Sequence, residues 1–196
     1  MIAILTAALA LWIAPPGGPA AARDLVAAAV AQTHTRVTYD GSYRRIAYPG
    51  GDVPETIGVC TDVVIRAYRK VGIDLQVQVH EDMARAFASY PRQWGTAAPD
   101  SNIDHRRVPN LQTFFRRARA DLPVSRDPAA YQPGDLVTWM LPGNLPHIGI
   151  VTGGQSPAGT PLIVHNIGRG PEIEDALFKY SMTGHYRYLP RSSSAP

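Results

Sequence analysis

Residue 60 is the only cysteine of the chain, and it heads a helix-like run, "CTDVVIRAYRKVG", after a glycine-bearing loop. A thiol at a helix N-terminus meets unpaired backbone N–H groups and the positive end of the helix dipole. Both stabilise a thiolate and make it a nucleophile. Thr61 and Asp62 fill the opening turn, where such residues cap helices. The Asp62 charge favours the helix start but raises the pKa of a nearby thiol. Its carboxylate is therefore expected to point away from sulfur, capping the helix or holding the loop. The alternative for Cys60 is a buried small hydrophobe with no chemistry.

A nucleophilic thiol needs a base, and six histidines are available. His147 opens "HIGIVT", whose alternation puts His147, Gly149 and Val151 on one face and Ile148 and Ile150 on the other. Gly149 leaves room beside the imidazole. His165 closes "LIVH", on the face of Ile163 and opposite Leu162 and Val164. On successive strands such histidines come within hydrogen-bond reach, the second holding the first in its active tautomer. Two unrelated sheet histidines, each satisfied by local polar groups, give the same spacing. His34, His80 and His185 read as solvated or structural.

The elements that must position these groups follow from periodicity and breakers. Helices are expected over 22–36, 61–71, 80–90 and 111–120, with Gly72 as the stop of the second. "LQVQV" (75–79) alternates as a strand does, and 91–110 has no periodicity and reads as a long loop. From 133 onward β-prone runs at 133–140, 147–153, 161–168 and 184–190 are separated by Gly/Pro turns. Helices first and strands second imply a single α+β domain over 23–190 with a mostly antiparallel sheet. The tail 191–196 reads as disordered.

The 196 residues suffice for one domain with a real core, and 45% of them are hydrophobic. A net charge of +3 from scattered arginines leaves no dense basic stripe, so nucleic acid is not an expected partner. Residues 1–22 carry no charge. An apolar run over 2–14, a Pro-Gly break and three alanines resemble an export signal cleaved after Ala22, although a basic n-region is missing. The run is too short for an ordinary membrane span, so no stable span is expected after cleavage. An exported chain with one cysteine makes no internal disulfide, which leaves a candidate reactive thiol. No Cys/His cluster has structural-zinc spacing.

Four pieces in order, "AYPGGDVPETIGVCTDVVIRAYRKVGIDL", "QPGDLVTW", "HIGIVTGG" and "LIVHNIG", resemble the NlpC-like cell-wall peptidases of the papain-like superfamily. The match runs over residues 48 to 168. "SNIDHRRVPNLQTFF" further resembles an exported bacterial family of unknown function within that group. "VCTD" stands where those enzymes carry Asp-Cys-Ser-Gly. The resemblance implies a papain-like fold and a peptidoglycan or peptide substrate, with no metal or organic cofactor. It makes Cys60 the nucleophile, His147 the general base and His165 the orienting residue, with Asn166 competing for that last role. It also places Tyr48 near the thiol. Substrate-binding or oxyanion candidates are then Tyr48, Thr61, Asp62, Asn166, Arg106 and Arg107. The adjacent arginines suit the carboxylates of stem peptides, or else anchor the loop through salt bridges.

Overall fold

Strands whose side chains alternate between two apolar surroundings need cover on both faces, and that need organises this chain. The computed structural model describes residues 18–95 and 97–189. Most of the expected export signal and the expected disordered tail lie outside the described residues. In chain order come α1 (Pro19–Ala31), β1 (Thr38–Tyr39), β2 (Ile57–Gly58), α2 (Cys60–Lys70), α3 (Leu75–Ala86) and α4 (Val108–Arg117). The sheet strands follow: β3 (Asp121–Leu122), β4 (Leu136–Leu141), β5 (Leu145–Gln155), β6 (Pro161–Asn166), β7 (Pro171–Glu174) and β8 (Ser181–Tyr186). Their order is β3-β8-β4-β5-β6-β7, with every neighbouring pair antiparallel. β1 and β2 form a separate parallel pair. The fold is thus α+β, with helices first and an antiparallel sheet after them.

On one face Leu136, Ile148, Ile150 and Val164 pack beneath the helices against Leu25, Val64, Leu111 and Phe115. On the other, Val137, Trp139, Val151 and Ile163 pack with Tyr131 and Leu177. Each fully buried side chain of this size contributes about 1.5–3 kcal/mol. The α2 helix buries Val63, Val64, Ala67 and Tyr68. It ends at Gly72, whose φ of 81° only glycine adopts without strain. There the N–H groups of Gly72 and Ile73 donate to the carbonyls of Arg69 and Tyr68, the two bonds of a Schellman cap. Asp135, of the "PGDLV" piece, is buried and joins β4 to β8. It accepts from His185 at 2.8 Å and from Arg187 at 2.7 Å and 2.8 Å.

Several expected boundaries move. The strand expected at 75–79 is the first part of α3, because Asp74 caps the helix by accepting from the N–H of Gln76 at 3.0 Å. Leu75, Val79 and Met83 then form a buried stripe at spacing four, a pattern that a five-residue alternating window also satisfies. The last turn of the expected 80–90 helix is a 3₁₀ turn over Phe87–Ser89. The first helix starts earlier than expected, at Pro19, so Ala20, Ala21 and Ala22 belong to it. Part of the expected 91–110 loop is ordered as a 3₁₀ turn (Asp104–Arg106) and the start of α4, where Pro109 suits the first helical turn. β7 was not expected, and the final strand lies at 181–186 rather than 184–190. Among the described residues no helix is long and apolar enough to cross a membrane.

Burial of three histidines predicts a loss of stability in acid. His105 is 2% exposed, and burial, aided by the neighbouring Arg106 charge, pushes its pKa down to about 4. Burial also lowers His147, to about 3, and His165. An unfolded histidine protonates near about 6.5, so the unfolded chain binds these protons first. Stability is therefore full above that pH and falls as the pH drops toward the folded values. Urea midpoints should be level from pH 8 to 7 and decline steadily from pH 6 to 4. A level midpoint down to pH 4 would contradict this burial.

Candidate functional site

The site begins where α2 meets β5. Cys60 is the first residue of α2 and is 4% exposed. Burial dominates its titration and pushes the thiol up to about 11. The backbone N–H groups of Ile148 and Thr61 and the phenol of Tyr39 pull the other way, and the Asp62 charge adds to the rise. A helix N-terminus alone would lower a thiol pKa. Here desolvation outweighs it.

The turn after Cys60 is braced. Asp62 Oδ2 accepts from the N–H of Val59 at 2.6 Å, while the N–H of Asp62 donates back to the Val59 carbonyl at 3.1 Å. Its two oxygens also receive Arg106 Nε at 2.8 Å and Nη2 at 2.9 Å, a buried bidentate ion pair. Thr61 Oγ1 donates to the Arg106 carbonyl at 3.0 Å. Arg106 also reaches the carbonyls of Asp40 and Ser42, and so holds the segment next to β1. Thr61, Asp62 and Arg106 were expected among the substrate-binding groups. In the structure they are buried and spend these polar atoms on one another and on the backbone. Arg106 takes the alternative role of salt-bridged anchor. Asp62 does cap the helix, neutralised by a guanidinium.

On the sheet, His147 Nε2 lies 2.7 Å from His165 Nδ1, and His165 Nε2 lies 3.1 Å from Glu174 Oε2. Both rings are buried. His147 is driven down to about 3, by burial first and by the His165 charge second. At neutral pH the imidazole and the Cys60 thiol are therefore both uncharged. Gly149 makes the approach of β6 possible. A Cβ there would lie 2.6 Å from Ile163 Cγ2, 3.0 Å from the Val164 carbonyl oxygen and 3.1 Å from His165 Cβ. The space expected beside the imidazole is filled by the neighbouring strand. Asn166 points elsewhere. Its Oδ1 accepts from Gly168 and Gly170 at 3.0 Å and 3.2 Å, and its Nδ2 donates to the Gly58 carbonyl at 3.4 Å. The partner of His147 is His165, and Asn166 shapes the turn into β7.

Tyr48 is 43% exposed, with its ring centroid 5.1 Å from that of His80. The phenol interacting with the thiol is that of Tyr39, brought there because β1 pairs Tyr39 with Gly58, two residues before Cys60. Arg107 lies with its guanidinium 4.1 Å over the Trp94 ring and 3.7 Å from Asp104. Sequence reasoning missed Tyr39, the Ile148 amide and Glu174. The first two act through non-local pairing. The alternation of "PEIE" puts Glu172 and Glu174 on one face and was the available signal for the third. Among the described residues no group of three or more His, Cys, Asp or Glu is placed to hold a metal ion.

Fold and site together define an α+β protein with a buried thiol at a helix start and a sheet carrying two linked imidazoles. The chain belongs to the family described as a domain of unknown function (DUF1287), which matches residues 26–188. It is similar to the uncharacterized protein YijF of Escherichia coli (strain K12), with 54% identity over 158 residues, covering 81% of this chain and 77% of YijF. Among solved structures it is similar to NlpC1 from Trichomonas vaginalis, at 13% identity and a TM-score of 0.47 over 87% of this chain. It spans 45% of that chain.

Two outcomes follow from this geometry. Arg106→Ala leaves the Asp62 carboxylate buried without its counter-charge and should cost about 3–5 kcal/mol in urea unfolding. A loss below about 1 kcal/mol, the range of an exposed pair, would show that the pair is not a brace. Cys60 should be alkylated by iodoacetamide more slowly than free cysteine at pH 7.5, with a rate still rising above pH 9. A plateau near pH 7 would mean a preformed thiolate.

Proposed function

We propose that this protein is a cysteine hydrolase that cleaves an amide bond, with peptidoglycan stem peptides as its substrate. The observation that carries the reading is the 2.7 Å contact between His147 Nε2 and His165 Nδ1, on strands next to the amide-lined Cys60. Support comes also from the ordered likeness of four sequence pieces to NlpC-like cell-wall peptidases. An exported, periplasmic or secreted location is part of the proposal, resting on the uncharged, apolar residues 1–22.

With Nε2 of His147 engaged by His165, Nδ1 is the nitrogen that serves the thiol. As sulfur attacks the substrate carbonyl carbon, the Sγ proton passes to Nδ1 and the carbonyl oxygen becomes an oxyanion. The Cys60 backbone N–H at the helix start and the Tyr39 phenol are the donors for that oxygen. The imidazolium returns its proton to the amine nitrogen, the C–N bond breaks and a thioester remains. Water, deprotonated by His147, then attacks the thioester, releasing the carboxylic acid and restoring the thiol. Because both partners rest uncharged, the ion pair forms only along the reaction, in a site where charge is poorly screened.

The burial of Cys60 favours one second reading, a non-catalytic wall-binding module that keeps the fold. Purified peptidoglycan and stem peptides, incubated with wild type and Cys60→Ala and analysed by mass spectrometry, separate the two. New muropeptide ends with wild type and none with Cys60→Ala are expected. Cleavage by Cys60→Ala at the wild-type rate would remove the thiol mechanism. Wall binding with no cleavage by either protein would establish the module.

A further inference from the structure

The line of imidazoles does not end at His165. Ile163 pairs with Glu174 across the β6–β7 ladder and His165 pairs with Glu172, so both carboxylates rise on the face that Ile163 shares with His165. Glu174 Oε2 reaches His165 Nε2 at 3.1 Å. Its other oxygen is held by Arg169 at 2.7 Å, and the same guanidinium clamps Glu172 at 3.0 Å. Lys179 Nζ lies 3.9 Å from Oε2, the oxygen that meets His165. The Glu174 side chain is 19% exposed and His165 is fully buried, so Glu174 is where the buried pair meets solvent.

We infer that Glu174 is a positioning residue that sets the tautomer of both histidines, and so decides which nitrogen of His147 is unprotonated. A carboxylate only accepts, so His165 must carry its proton on Nε2 to meet it. Nδ1 of a neutral His165 then has only a lone pair, and the 2.7 Å bond requires the proton on Nε2 of His147. Nδ1 of His147 is left as a base. The opposite assignment, with protons on both Nδ1 atoms, satisfies the histidine–histidine contact equally well. It puts a lone pair against the Glu174 carboxylate and leaves His147 unable to take a proton from the thiol. Nothing else described around His165 distinguishes the two. Arg169 and Lys179 reach Glu174, and Glu172 acts on His165 through its charge rather than by a bond. The role in catalysis rests on the proposed thiol chemistry, whereas the tautomer assignment does not.

The test is ¹⁵N NMR of the imidazole nitrogens in ¹⁵N-histidine-labelled protein near pH 7.5, with single histidine substitutions for assignment, beside amide hydrolysis kinetics. Wild type should show Nε2–H for both His147 and His165. Glu174→Ala and the isosteric Glu174→Gln should each populate Nδ1–H at both sites, while Glu172→Gln, which removes an equal charge nearby, should leave wild-type tautomers. In kinetics, Glu174→Ala should lower kcat about 10- to 100-fold with KM unchanged. That is less than the ~10⁴ seen for a fully buried orienting carboxylate, because water can replace part of this bond. Nδ1–H on His165 in wild type would overturn the inference. So would wild-type tautomers in both Glu174 variants, or an equal shift in Glu172→Gln. If Glu174 alters the tautomers but neither wild type nor variant cleaves, the positioning stands and the hydrolase reading falls.

Discussion

The ion pair between Asp62 and Arg106 is the constraint from which the rest of the site is built. A carboxylate two residues after a buried thiol would be costly if left alone, and the bidentate guanidinium neutralises it. The same arginine reaches the carbonyls of Asp40 and Ser42, and its own carbonyl takes the hydroxyl of Thr61. The helix start, the segment that carries Tyr39 and the turn at 104–106 are therefore tied together. A pair of this kind adds little net stability over an apolar replacement. What it supplies is position, setting Cys60 and the Tyr39 phenol in one frame.

The thiol end of that frame is buried, and burial there decides the electrostatics. Burial raises the thiol and lowers the imidazole, so each rests in its neutral form despite the amides gathered around sulfur. Stabilisation by helix-start donors is weak against a neutral thiol and strong against developing negative charge. At rest, desolvation outweighs those donors, and the thiol and imidazole stay neutral. Asp135 illustrates the contrast on the same sheet. Its carboxyl is also buried, yet bonds from His185 and Arg187 hold its pKa below the usual range, and it stays charged as a joint between strands.

Features written into neighbouring residues were legible in the sequence. The α2 helix, its glycine stop and the alternation that puts His147 and His165 on matching faces each depend on a window of a few positions. Where a short window fits two periods it misleads, as at 75–79, and Asp74 settles the choice through a cap that lies outside the alternating run. The loop around 104–106 reads as polar and accessible, but its arginine is drawn inward by Asp62, 44 positions away. Tyr39 reaches the thiol through a two-residue parallel pairing, too short to leave a pattern. Glu174 sits in a four-residue strand whose partner had to be known before its carboxylate could be assigned a neighbour.

Asn166 carries a consequence for how such a protein can vary over evolutionary time. Through Gly58 it fastens the hairpin that bears His165 and Glu174 to the short strand leading into Cys60. Its other oxygen bonds lock the turn within that hairpin. The start of α2 and the β6–β7 hairpin are thus registered by a joint that is local in space. Trp94, in the segment 91–95, packs instead on the guanidinium of Arg107. Insertions or deletions there can change that surface while the start of α2 and the β6–β7 hairpin stay joined.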